Sequence, residues 1–131
     1  MVFDTDIFIW VQRGHRAAAR LIEQAESRHL STLSYMELLQ GARDKKQHRH
    51  SKAFLRDFGF ATLPLTENIG HRAAVYIEEY ALACGLRAAD ALIAATAVEN
   101  DLPLCTSNRK HFEPIQDLDL CLFHPGAGAK R

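Results

Sequence analysis

Cysteine is scarce in this chain, and its arrangement excludes whole classes of protein. Cys84, Cys105 and Cys121 are odd in number among 131 residues and form no C-x-x-C pair. A disulfide framework and a zinc ribbon are thereby excluded, and the three read as reduced, buried small hydrophobes. Net charge is also lacking, since sixteen Lys and Arg face sixteen Asp and Glu. Any grip on a polyanion must come from a local patch rather than from the field of the whole molecule. Long hydrophobic runs are missing too. The longest nearly apolar stretch, Ala91 to Val98, falls far short of the ~20 residues that span a bilayer. With Asp4 so early, the N-terminus lacks the basic and apolar regions of a secretory signal, so a cytoplasmic protein without membrane contact is expected. The patterns G-x-G-x-x-G, Walker A, G-x-S-x-G and H-E-x-x-H do not occur, which removes the dinucleotide-binding, P-loop, hydrolase-elbow and zincin signatures.

What is present is an ordinary globular balance, 47% hydrophobic and 24% charged. The length suits one domain, taken as residues 1–124, followed by a flexible tail at 125–131 (PGAGAKR). Val2-Phe3 begins a short strand, and Asp4-Thr5-Asp6 forms a turn into the apolar stretch Ile7 to Val11. Ala17 to Ala25 is an amphipathic helix and His29 to Thr32 a second strand. Helices over Tyr35–Arg43 and His48–Phe58 lead to a third strand, Phe60 to Leu63. A helix over Ile69–Cys84 is stopped by Gly85 at its C′ position. A largely apolar helix over Arg87–Asn100 follows, then strands at Pro103–Thr106 and Leu118–Phe123. Strands alternating with helices imply an α/β fold with a mostly parallel sheet in three layers.

Three acids stand where a strand ends or a helix begins: Asp4, Glu37 and Asp90. Those places converge on one crevice, because ligands bind outside the carboxyl ends of a parallel sheet. Carboxylates gathered there repel by ~3 kcal/mol per pair at about 5 Å and an effective dielectric near 20. Such a cluster makes sense around a divalent cation. Each acid also has a plainer account. Asp4 could be a helix cap, although Thr5 and Asp6 can fill that role and leave it free. Asp6 is the weaker metal candidate and otherwise an N-cap. Ser34-x-x-Glu37 is a capping box, and Leu33 with Leu38 fits the accompanying hydrophobic staple. Asp90 shares a buried helix face with Ile93, Ala94 and Ala97. It could simply complement the helix dipole, with Arg87 as its salt-bridge partner.

Thr106, Ser107 and Asn108 close the fourth strand at its carboxyl end; Thr106 or Asn108 could orient a water or a ligating carboxylate, or merely form a turn. Arg109, Lys110 and His111 could hold a phosphate or be solvated charges. The run Arg43 to Lys52 (RDKKQHRHSK) is the one strong positive segment, either a solvated helix face or a grip on a phosphate backbone.

Taken together, VFDTDIFIW, SYMELLQGARD, RAADALIAATAVEN and LCTSNRKHFEPI closely resemble the PIN-domain ribonucleases, and among them the VapC-type toxins of bacterial toxin–antitoxin pairs. The resemblance runs over nearly the whole chain in order. It implies a central parallel sheet of about five strands with helices on both faces, and a Mg²⁺ or Mn²⁺ site built from acids. Its first three acids fall on Asp4, Glu37 and Asp90; a fourth acid common in the family is Asn108 here. It further implies hydrolysis of RNA, with tRNA and rRNA among the candidates, inhibition of translation, a VapB-type antitoxin partner and a homodimer. A housekeeping PIN nuclease and a catalytically inactive PIN module are the alternatives. A receiver-type phosphoacceptor domain is excluded, since the third strand ends Leu63-Pro64-Leu65 and the fifth Phe123-His124-Pro125, without the required Asp and Lys.

Overall fold

The computed structural model describes residues 1–126; the tail expected over residues 125–131 lies mostly outside the described residues. Five strands, each of two or three residues, form one sheet: β1 (Val2–Phe3), β2 (His29–Ser31), β3 (Ala61–Leu63), β4 (Leu104–Thr106) and β5 (Leu120–Leu122). All are parallel, in the order β3-β2-β1-β4-β5. The chain therefore leaves β1 toward one edge and later returns to its other side at β4, a topological switch point beside β1.

Period-two alternation divides the short strands between two cores. Val2 and Leu104 point to one side, against α5 (Glu67–Cys84) and α6 (Ala88–Glu99). Phe3, Leu30 and Cys105 point to the other, against α1 (Thr5–Gln12), α2 (Arg16–Gln24), α3 (Thr32–Gln40) and α4 (Lys45–Asp57). This is the three-layer α/β/α arrangement expected. On the second side Phe3, Phe8, Phe54 and Phe60 form an aromatic cluster, with the Phe8 and Phe60 centroids 5.1 Å apart. α6 carries Ala91, Ile93, Ala94, Ala95 and Ala97, all buried, and its small side chains let it lie close under the sheet.

Gly85 ends α5 in the left-handed conformation (φ 76°), as the C′ position requires. Elsewhere the boundaries moved. Helix α1 begins at Thr5, so Asp4-Thr5-Asp6 is no turn. α3 begins at Thr32, three residues before the expected start, because β2 runs into it without a loop and Ser31 caps it. Ser31 Oγ accepts from the Leu33 N–H at 3.1 Å. The capping box Ser34-x-x-Glu37 therefore does not exist: Ser34 is buried inside the helix. The Leu33–Leu38 staple fails with it, since the two leucines pack into opposite cores. A one-turn helix, α7 (Arg109–Phe112), carries the charged run Arg109, Lys110 and His111. No disulfide joins Cys84, Cys105 and Cys121; Cys105 is buried, the others half-buried.

Candidate active site

Asp4 follows β1 at the switch point and does two jobs at once. It is the N-cap of α1, Oδ1 accepting from the Thr5 N–H at 2.8 Å. Its other oxygen, Oδ2, accepts from the Thr106 hydroxyl at 2.7 Å, at the end of β4. The expectation that Thr5 or Asp6 would cap the helix in its place is thus corrected. Residues before the first helical turn carry the cap, and β1 ends one residue earlier than a separate cap would need. The Asp4 carboxyl is only 6% exposed. Burial, then the neighbouring Asp6, push it up to about 8, with Thr106 and Thr5 pulling the other way and Asp90 adding a smaller upward push.

Asp6 sits one half-turn into α1 and is not a cap. Its Oδ2 accepts from the Ser107 N–H at 3.1 Å and from the Ser107 hydroxyl. Its Oδ1 is buried without a hydrogen-bond partner. A buried carboxylate oxygen with no donor is costly unless a cation meets it.

Thr5 joins the first acid to the second. While its N–H serves Asp4, its hydroxyl donates to Glu37 Oε1 at 2.7 Å and lies 2.8 Å from Ser34 Oγ. Glu37 is held across from α1 by this contact and has no helix end to cap. Its replacement by Gln keeps the acceptor, so Glu37→Gln should change stability by less than about 1 kcal/mol. Chemical denaturation of the metal-free protein checks that value.

Asp90 lies in the first turn of α6. Its carboxylate accepts from the Arg87 N–H at 3.3 Å and pairs with His111 Nδ1 at 3.0 Å. The expected partner, the Arg87 guanidinium, is replaced by an imidazole from α7, since Arg87 precedes the helix and its side chain is exposed. Asn108 is the N-cap of α7. Its Oδ1 accepts from the His111 N–H at 3.3 Å and its amide nitrogen lies 3.0 Å from His111 Nδ1. Of the two residues weighed as water-orienting groups, Thr106 contacts Asp4 directly, whereas Asn108 reaches the acids through others: its N–H donates to Thr106 Oγ1 at 3.0 Å and its side chain meets His111. Arg109 is paired with Glu113.

Asp4 thus feels the charge of both Asp6 and Asp90, and Thr5 ties Glu37 to Asp4. As the side chains lie, no three His, Cys, Asp or Glu among the described residues form a ready ligand set for one ion. Glu37 is turned to Thr5 and Asp90 to His111. The donor chemistry nonetheless fits a hard divalent cation, because all four groups offer carboxylate oxygens and one of them is buried without a donor. Four residues here take roles other than those the sequence suggested: Thr5 and Ser34, read as capping residues, Ser107, read as part of a turn, and His111, read as a phosphate contact or a solvated charge. Thr-Ser-Asn after a strand was a visible signal for Ser107; nothing local announced His111, which reaches Asp90 only because α7 packs on α6.

A family model, the PIN domain, matches residues 1–117. The chain is a PIN domain. PIN domains are nucleases, which places it among hydrolases acting on nucleic acid, with the five-stranded parallel sheet as its scaffold. Solved structures agree on the fold. A toxin–antitoxin complex from Klebsiella pneumoniae contains a chain 28% identical, with TM-score 0.78 over 95% of this PIN domain and 97% of that chain. FitAcB from Neisseria gonorrhoeae matches at 26% identity and TM-score 0.67, over 95% and 96%. VapBC2 from Rickettsia felis, bound to a DNA fragment from the promoter, matches at 20% and 0.75 over 95% and 100%, a likeness of fold alone. No curated protein matches the chain. Among the described residues of this PIN domain no helix is long and apolar enough to cross a membrane.

Proposed function

We propose that this PIN domain is the VapC-like toxin of a toxin–antitoxin pair, a metal-dependent endoribonuclease that stops translation by cutting RNA. The observation that supports it most is buried Asp4 beside half-buried Asp6 at the carboxyl end of β1, with one Asp6 oxygen buried without a donor. Asp4, Glu37 and Asp90, with Asp6 beside them, would hold Mg²⁺ or Mn²⁺. The ion, when bound, would lower the pKa of a coordinated water and offset charge on the phosphorane-like transition state.

The chain's own residues do the rest. Thr106 fixes Asp4 by its hydroxyl, Ser107 fixes Asp6, Thr5 fixes Glu37, and His111 fixes Asp90. Each carboxylate is thus oriented by a neighbour on a different element, which limits its rotation toward the others. Asn108 stands in for the fourth acid and supplies no negative charge, so a second ion would be held less firmly than the first. The enzyme would work in the cytoplasm as a homodimer, neutralised by a VapB-type antitoxin laid over the crevice. The toxin–antitoxin complex from Klebsiella pneumoniae, matching 95% of this chain, supports that partner.

The test is cleavage of a structured RNA, such as tRNA, by the purified chain. Cutting should require Mg²⁺ or Mn²⁺, leave 5′-phosphate and 3′-hydroxyl ends, vanish in EDTA and return when Mn²⁺ is added. Undiminished cutting in EDTA would refute the metal assignment.

A further inference from the structure

The run Arg43 to Lys52 divides into two parts once α4 is folded. Residues 47, 50 and 51 recur at helical spacing and face a groove, whereas Lys45, Lys46, Arg49 and Lys52 do not line that groove and stand in solvent. The inward part, with Arg43 just before the helix, lines a groove of about 630 Å³ between α1, α3 and α4. One wall of that groove is Glu37, the acid tied to Asp4 through Thr5.

Glu37 is the one carboxylate lining it, against Arg13, Arg43 and His50. Arg13 caps the C-terminus of α1 and Arg43 lies in the α3–α4 connection, so the two face the groove from separate elements. Neither guanidinium has a carboxylate partner among the described residues. The nearest acid in sequence to Arg43, Asp44, spends its carboxylate on the Gln47 N–H at 2.8 Å as the N-cap of α4. The Arg43 backbone is itself pinned by its N–H to Gln47 Oε1 at 2.7 Å. With Glu37 turned onto a cation, the groove is positive along its length, in a chain whose net charge is zero.

We propose that this groove carries the sugar–phosphate backbone of the RNA strand away from the acids, with Arg13 and Arg43 clamping phosphates next to the one that is cut. The inference rests on the nuclease reading and assigns it a substrate path. Guanidinium forks match phosphate oxygens in pairs and hold them directionally. No Phe, Tyr or Trp lines the groove, so the contact is chiefly to the backbone and blind to sequence. A smaller apolar hollow adjoins it, about 220 Å³ between Phe8, Val11, Phe54 and Leu55. That hollow suits a peptide; the two unpaired arginines suit a polyanion.

Binding is measured by fluorescence anisotropy with a labelled single-stranded RNA oligonucleotide, in the non-cutting Asp4→Asn background, over a range of KCl. Adding Arg13→Gln and Arg43→Gln should weaken binding at least tenfold and lower the slope of log K against log salt by about 1.4, two phosphates at ~0.7 each. Arg13→Lys with Arg43→Lys should keep most of the slope, which separates lost charge from a damaged fold. Lys45→Gln with Arg49→Gln, on the outer face, should change affinity less than threefold. The clamp is overturned if the double Gln variant binds with the parental affinity and slope, including the case where it loses only an antitoxin peptide. If the parent itself binds no RNA and the wild type cuts none, the nuclease reading falls as well.

Discussion

Asp4→Asn is expected to abolish RNA cleavage and, in the same protein without metal, to raise stability. The two effects have one cause. A carboxyl buried between β1 and β4 beside Asp6, and pushed up to about 8, is strained whenever it is ionised in the fold without a cation. Asparagine has the same shape and keeps the acceptor for the Thr5 N–H. Its amide can donate to Thr106 Oγ once that hydroxyl rotates. The sign of the linkage follows from the raised value. Below pH 4 the carboxyl is protonated both folded and unfolded, and the wild type and the variant should be equally stable. Between pH 4 and 8 the unfolded chain releases the proton while the fold retains it, so the wild type loses about tenfold in its folding constant per pH unit relative to the variant. Above pH 8 the difference levels off. Urea denaturation at several pH values in EDTA measures it. Saturating Mn²⁺ should reverse the order, because only the wild type gains stability from binding the ion. A variant less stable than the wild type at pH 8 in EDTA would contradict the repulsion argued for this pair.

Asp90→Asn should remove toxicity. Induced expression of the wild type should arrest growth and create new RNA 5′ ends in the cell; the variant should do neither while accumulating as a folded protein. Asp90, in the first turn of α6, contributes to the upward push on Asp4 and is held by His111 Nδ1 at 3.0 Å. Losing its charge at the first turn of a helix costs about 0.3–1 kcal/mol of stability. Losing a ligand costs far more function than the roughly 10–100-fold that follows removal of a ligand's supporting hydrogen bond. Growth arrest by the variant, with the same RNA ends, would remove Asp90 from the site. Melting temperatures of the two proteins separate loss of fold from loss of chemistry.

The readings that depended on period and on chain order came through the folding. Alternating short strands and helices implied the three-layer parallel sheet, and Gly85 stops α5 where a left-handed C′ residue should. Readings that depended on local caps were less secure. Ser34-x-x-Glu37 satisfies every local rule for a capping box, yet β2 feeds straight into α3 and hands the cap to Ser31. Arg87 was the near neighbour of Asp90 in sequence, and His111, twenty-one positions on, is its partner in space. Both errors have one origin, since a capping or pairing rule counts residues along the chain and cannot see which element arrives from elsewhere.

From its sequence alone this chain determined its layers and its family, because hydrophobic period and the order of motifs are written along the chain. Tertiary structure alone decided the rest: that one Thr5 joins Asp4 to Glu37, that Asp6 keeps an oxygen without a donor, and that Arg13 and Arg43 share a groove with Glu37. Distances, burial and the charge felt by each carboxyl arise only when strands far apart in the chain lie side by side.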